Sequence, residues 1–247
     1  MNDSIYRTAI ERLAALALIA MSMAVAARLA RAQDEEKPPE IKPPATAASP
    51  EKAIPRGWRV EAETDDVLTG DLNSDGRPDQ VLRLVQDLPL ETADHVPRTR
   101  FRALVVLLAR PEGGYAVAGA TTKLLLCSTC AGVRGDPAGG GNIQIRVERG
   151  VIVIQQQSGS RFSYDHTARF RLDREMNRFL LIGEDFDNND TATGDRTVES
   201  SNYLTGVRLT KKYRFDRRRD DHQLVSTKTA RIPRQRKFIE DFDYNKL

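Results

Sequence analysis

The hydrophobic residues that follow residue 57 occur in short runs, separated by Gly, Asn, Asp and Pro. Residues 162–172 alternate apolar and polar positions, which is typical of a half-buried strand. The continuous apolar run at 103–108 predicts a strand that is buried on both faces. Since no segment after residue 32 has a helical period, the pattern predicts an all-β domain over residues 57–215, mainly antiparallel and either a sandwich or a meander.

Other runs predict further strands and the turns between them. The additional strands are predicted at 81–85, 143–147, 151–154 and 179–182. Glu148-Arg149-Gly150 predicts a three-residue hairpin loop with Gly at a left-handed position. Residues 202–206 predict the end of a strand followed by a turn at Gly206.

The amino-terminal 32 residues have the pattern of a secretory signal peptide. Arg7 and Arg12 precede an apolar run at 13–27, and Ala30-Arg31-Ala32 forms a small-x-small cleavage site. The run has 15 residues, whereas a membrane-spanning helix needs roughly 20. We therefore expect cleavage and export to the periplasm or the extracellular space, with no transmembrane span afterwards. A retained amino-terminal anchor is the alternative.

Residues 33–56 contain six of the 12 prolines and almost no large apolar side chain. Such a composition cannot build a core, so it predicts a disordered, semi-stiff linker. The linker is either a spacer between the domain and an envelope surface or a tolerated tail.

The charges are nearly balanced overall and uneven locally. The chain has 38 Lys and Arg against 35 Asp and Glu, so it lacks the strong basic excess typical of nucleic-acid-binding domains, and no nucleic-acid partner is expected. The segment from Lys211 to Lys237 nevertheless has 11 basic and 3 acidic residues. We expect a basic carboxy-terminal extension at 216–247, which either docks on an anionic envelope surface or is a solvated tail.

Residues 71–79 have the form D-x-N-x-D-G-x-x-D, which places oxygen donors at alternate loop positions. Calcium prefers six to eight oxygens, and a tight loop can direct alternate side chains at one centre. Gly76 permits the positive φ of the turn, and Arg77 offers its backbone carbonyl. The predicted ligands are Asp71, Asn73, Asp75, Arg77 and Asp79. An Asx-turn without an ion is the alternative.

The segment GDLNSDGRPDQVLRL is similar to the calcium loops of FG-GAP and VCBS-type β-repeats, in which a loop leads into a strand. The resemblance implies a structural calcium ion. In that family each loop belongs to one propeller blade or one repeat hairpin, whereas this chain has a single copy, so a propeller is not supported. Leu82 stands where an EF-hand loop has its Glu, which excludes that class.

Cys127 and Cys130 are separated by two residues and follow an apolar run. In an exported protein such a pair predicts a disulfide. A thioredoxin-like redox site, a zinc site and a free thiol pair are the alternatives, but no βαβ context and no metal-ligand spacing of His accompany the pair.

Two other polar features have structural interpretations. His166 lies on the apolar face of its predicted strand, which favours a hydrogen-bonded core histidine over a general base. The acidic stretch at 184–190 has no Gly at the offset that a calcium loop needs, so we expect a strand cap and a solvent-exposed turn, with calcium as the lesser alternative.

No catalytic constellation stands out, so the favoured function is an exported, non-enzymatic β domain with a structural calcium ion and a binding or interaction role at the envelope. The alternative is an envelope hydrolase or carbohydrate-acting protein whose acids come from Asp136, Asp165, Glu184 and Asp185. A ligand-binding module that uses the face opposite the calcium loop is a third hypothesis. The order of segments from LLLCSTC to NYLTG also resembles a group of exported bacterial proteins of unassigned activity. Because that group has no assigned activity, the resemblance implies no particular reaction for this chain.

Overall fold

The computed structural model describes residues 37–61, 67–134, 142–234 and 236–244, and it consists of two antiparallel β-sheets in a sandwich-like arrangement. This confirms the predicted all-β class. The described residues contain one 3₁₀ turn at Pro50–Ala53 and no α-helix, and none of their segments is a helix long and apolar enough to span a membrane. The predicted signal peptide at 1–32 lies outside the described residues.

The first sheet contains six strands in the order β1-β6-β5-β4-β2, and β3 also pairs with β4. Their bounds are β1 Thr46–Ala47, β2 Trp58–Val60, β3 Val67–Gly70, β4 Asp79–Gln86, β5 Arg102–Ala109 and β6 Tyr115–Thr121. The second sheet is a seven-stranded meander in chain order. Its strands are β7 Ile143–Glu148, β8 Val151–Gly159, β9 Phe162–Asp173, β10 Arg178–Asp190, β11 Arg196–Asn202, β12 Val207–Asp216 and β13 Asp221–Arg231.

Both faces of the first sheet are buried, as the run at 103–108 predicted for β5. One face packs on the second sheet, where Leu104 and Val106 share a core with Ile152 and Phe170. The other face carries Leu82, Leu84, Val105 and Leu107 and forms a second, smaller core. Because these side chains alternate along β4 and β5, the first sheet needs a cover on each side.

The predicted linker supplies the second cover. Ile41 and Ala53 are buried against the smaller core, and β1 pairs with β6. The compact unit therefore starts at Pro39, and the domain boundary predicted at residue 57 moves to that position. Residues 33–36 lie outside the described residues.

The carboxy-terminal boundary also needs correction. The predicted extension at 216–247 contains β13, which pairs with β12 along its length. Beyond it, Phe238, Ile239 and Phe242 are buried, and Ile239 and Phe242 belong to the core between the sheets. The domain thus continues to at least Tyr244, because a few apolar residues anchor a segment whose average composition is basic.

Two local predictions were wrong in detail. Glu148 pairs with Val151, so the β7–β8 loop has two residues, Arg149 and Gly150, both with positive φ (52° and 75°). The acidic stretch at 184–190 is not a turn but the second half of β10. It stays extended because β9 and β11 pair with it on both sides.

Candidate functional site

The 71–79 loop joins β3 to β4 and folds back on its own side chains. Ser74 and Gly76 have positive φ, 60° and 80°, which lets the loop turn sharply. Asp71 accepts hydrogen bonds from the backbone N–H groups of Asp75 and Gly76, at 3.1 and 3.0 Å. The side-chain oxygen of Asn73 accepts from the same Asp75 N–H at 3.0 Å. The oxygens at positions 1 and 3 of the motif are therefore neighbours on the inside of the turn.

Asp75 lies at the centre of this arrangement. Its Oδ1 accepts from the backbone N–H of Arg77 at 2.8 Å, and its Oδ2 accepts from the Asn73 amide at 2.8 Å. The Arg77 backbone N–H is the first cause that lowers the pKa of Asp75, so this carboxylate is ionised. The Arg77 guanidinium also pairs with Asp75, a contact that the sequence argument, which assigned Arg77 a backbone role only, did not include.

Asp79 is fully buried and holds the end of the loop against the first sheet. Its two oxygens accept from the backbone N–H groups of Leu72 and Ala109, each at 2.8 Å. Burial raises its pKa, and the charges of Asp75 and Asp71 add to that rise. Three negative charges therefore influence one another at this loop, which is the electrostatic situation that a divalent cation relieves.

The loop also contacts the second sheet. Arg174, in the turn between β9 and β10, donates from Nη2 to the carbonyl of Asn73 at 2.8 Å. A Cβ on Gly70 would lie 2.4 Å from Cγ1 of Val147 in β7, so the two backbones approach closely only because residue 70 is Gly. Leu72, inside the loop, is buried in the core that both sheets share. The loop is thus a junction between the two sheets.

The described residues contain no cluster of three His, Cys, Asp or Glu side chains arranged around a common point for a metal. The loop brings together Asp71, Asn73 and Asp75, whereas Asp79 uses both oxygens on backbone N–H groups. Each carboxylate oxygen has a second lone pair, so these hydrogen bonds do not prevent coordination. The calcium ligand set therefore stays a prediction that the donor chemistry fits.

The predicted disulfide between Cys127 and Cys130 is confirmed, with Cα atoms 5.0 Å apart. Ser128, between the two cysteines, donates its backbone N–H to the carbonyl of Arg100 at 3.0 Å and accepts from the Arg100 N–H at 2.9 Å. The bonded pair leaves no thiolate for zinc.

His166 is a core histidine, as its position on the apolar face predicted. It is fully buried, and its Nε2 lies 3.0 Å from Oε1 of Glu184. The hydroxyl of Tyr203 donates to the other oxygen of Glu184. Burial opposes ionisation of Glu184, but the hydrogen bonds from His166 and Tyr203 outweigh it, so the pKa of Glu184 is lowered. Sequence reasoning missed this network because it depends on the pairing of β9 with β10.

The acids of the hydrolase hypothesis do not all lie on one face of the second sheet. Glu184 points to the buried face of β10, so the adjacent Asp185 is on the opposite, open face, together with Asp165. Asp136 lies outside the described residues. The cross-strand partner of Asp165 is Asp187, in a groove of about 270 Å³. Asp165 is bound by Gln155 at 2.8 and 3.0 Å, and Asp187 pairs with Arg196, so both carboxylates already have partners.

The basic segment that starts at Lys211 is built into the second sheet. Neighbouring residues on a strand point to opposite faces, so β12 and β13 divide its cations between two faces. Arg217, Arg218 and Arg219 form the exposed turn between these strands. The strand pairing therefore shows which of these cations share a face of the sheet, which the sequence alone does not show.

In comparisons with protein families, curated proteins and solved structures, no match to this chain was found.

Proposed function

We propose that this chain is an exported, non-enzymatic binding module of the cell envelope, and that one calcium ion bound by loop 71–79 stabilises its sandwich. The observation that carries this proposal is the position of the loop, which contacts both sheets through Asp79 on one side and Arg174 on the other. An ion at this junction would hold together elements that are distant in sequence.

The donor set supports calcium rather than a softer metal. Carboxylate oxygens of Asp71, Asp75 and Asp79, the Asn73 amide oxygen and the Arg77 carbonyl are all hard oxygen donors, and water can complete a shell of six to eight. On binding, Asp75 would exchange its contact with the Arg77 guanidinium for the ion. The ion would also offset the repulsion that contributes to the raised pKa of Asp79.

Export and an anionic partner have separate support. The disulfide suits an oxidising compartment, in agreement with the predicted signal peptide. The cations of β12, β13 and the turn between them are exposed or partly exposed and suit an anionic envelope surface. Each described acid of the hydrolase alternative already has a partner within the fold, since His166 and Tyr203 bind Glu184, Gln155 binds Asp165 and Arg169 pairs with Asp185, which supports a binding role over hydrolysis.

Thermal unfolding with calcium or with chelator tests the structural ion. At a calcium concentration about 100 times the dissociation constant, the ion should add about 2.7 kcal/mol, which corresponds to a rise in melting temperature of about 5–10 °C. Asp71→Asn should remove most of this rise, whereas Asp94→Asn, an exposed acid in another loop, should retain it. Equal melting temperatures with calcium and with chelator would contradict the structural role.

A further inference from the structure

Strand β12 separates its cations by face. Arg208, Lys212 and Arg214 share one face with Thr210, while Val207, Leu209, Lys211 and Tyr213 are on the other. On the first face, β13 adds Lys228 beside Thr210, and β11 adds Glu199, which pairs with Arg208. We call this first face of β11, β12 and β13 the cationic face.

A concave pocket of about 310 Å³ lies at the end of the cationic face. Its volume is at the lower end of the range of small-molecule sites, and it suits one or two sugar rings better than a large ligand. The residues on which the argument depends are Phe162, Asn188, Thr197, Lys212, Arg214 and Val225.

The charges of the pocket favour an anion. Lys212 and Arg214 are exposed, and neither forms an ion pair with another described side chain. Asp190, in the wall, is neutralised by Arg161 at 3.1 Å. Asp195 accepts a hydrogen bond from the backbone N–H of Phe215 at 3.3 Å and remains the one wall carboxylate without a cationic partner among the described residues. Among the described wall residues, two cations without an ion-pair partner therefore stand against one such carboxylate.

The uncharged part of the pocket suits a pyranose ring. Phe162 is 47% exposed, and Arg161 covers one side of its ring with Cζ 5.1 Å from the centroid. The C–H groups of a sugar can pack on an exposed aromatic ring and on Val225, which is 57% exposed. Asn188 and Thr197, cross-strand partners on β10 and β11, supply an amide and a hydroxyl for sugar hydroxyl groups.

We propose that this pocket binds uronic acid units of an anionic polysaccharide, with Lys212 and Arg214 on the carboxylate and Phe162 under the ring. The assignment rests on the binding role proposed above and names its ligand class, but it does not depend on calcium. An uncharged sugar would leave two cations without a partner, and a small inorganic anion would not use the aromatic ring.

Calorimetric titration of the full chain with a tetramer of β-1,4-linked glucuronic acid tests the proposal, with the corresponding glucose tetramer as the neutral probe. The charged tetramer should bind, and the neutral one should bind at least about tenfold more weakly. The double variant Lys212→Gln/Arg214→Gln should lose about tenfold or more in affinity. Lys211→Gln/Arg231→Gln removes the same charge from the opposite face, so it should change affinity by less than about twofold.

If both double variants lose the same affinity for the charged tetramer, the effect is one of general electrostatics, and the proposed pocket is overturned. Equal binding of the two tetramers, or no binding of either, would overturn it as well. The calcium-dependent melting temperature is measured on the same samples. If the glycan does not bind but calcium still stabilises the protein, only the proposal of the pocket is overturned. If calcium does not stabilise the protein but the glycan binds, only the proposal of the structural ion is overturned.

Discussion

Two buried acids of this protein have pKa values that are shifted in opposite directions. Burial raises the pKa of Asp79, which has only backbone N–H partners and two acidic neighbours. Glu184 is buried too, yet its pKa is lowered because His166 and Tyr203 stabilise its ionised form. The partners of each carboxylate, rather than its burial alone, therefore decide whether ionisation stabilises the fold.

Replacement of Glu184 should change how stability depends on pH. A carboxyl group with a lowered pKa in the folded state adds stability above its unfolded pKa, and this stability is lost as the pH falls through its folded pKa. Glu184→Gln should therefore cost about 1–3 kcal/mol at neutral pH and less in acid. Urea unfolding across a pH series measures this, with Glu175→Gln, on an exposed turn, as the control. A loss that is the same at every pH would contradict the role of the ionised network.

At the same scale, the sequence predicted residue types better than residue partners. The apolar face of β9 indicated that His166 is buried, and an even cysteine pair in a chain predicted to be exported indicated that Cys127 and Cys130 are bonded. It could not indicate that Glu184 meets His166 and Tyr203, because this contact needs the register of β9 against β10 and the turn after β11.

Among the elements, the strands with the clearest hydrophobic signal were predicted, whereas β12, despite its alternation of Val207, Leu209 and Tyr213, was not, because its many cations indicated a solvated segment. Strands β4, β5, β7, β8 and β9 have apolar runs or alternation that reflect burial. The acidic half of β10 and the whole of β13 have little, because their side chains are mostly exposed or partly exposed and pairing with neighbours keeps them extended. The period of hydrophobic residues along a sequence reflects which side chains are buried. It therefore does not detect a strand whose two faces are both exposed to solvent.

The turn between β7 and β8 offers a test of local geometry. Arg149 has φ 52°, a left-handed conformation that costs an Arg about 1–2 kcal/mol and that Asn adopts more readily. Arg149→Asn should therefore raise the free energy of unfolding by about 0.5–1 kcal/mol, because Asn-Gly suits a two-residue turn with positive φ at both positions. Arg146→Asn, inside β7, should not stabilise. A loss of stability in Arg149→Asn would contradict this account of the turn.

At the scale of the whole molecule, composition predicted the class and misplaced the limits of the domain. Prolines before residue 57 and cations after 215 indicated solvated segments, yet Ile41, Ala53, Ile239 and Phe242 anchor both ends in the cores. The average composition of a segment indicates how much of it is exposed to solvent. Whether the segment folds as part of the domain is decided by a few side chains that are buried in the core.

The loop motif identified a candidate site, and only the fold shows what the site connects. Its donors follow from spacing, but its contacts with Ala109 in the first sheet and Arg174 in the second depend on topology. The position between sheets is the reason to propose that a calcium ion would have a structural rather than a catalytic role.

The most direct test of the central claim is a calorimetric titration of calcium into chelator-treated protein, beside Asp75→Ala. Asp75 contacts Asn73 and Arg77 within the loop, so its loss removes a central donor without opening a core. We predict saturable binding at one site in the unaltered protein and none in the variant. No binding in the unaltered protein, or equal binding in both, would contradict the claim and leave residues 71–79 as an ordinary turn between the sheets.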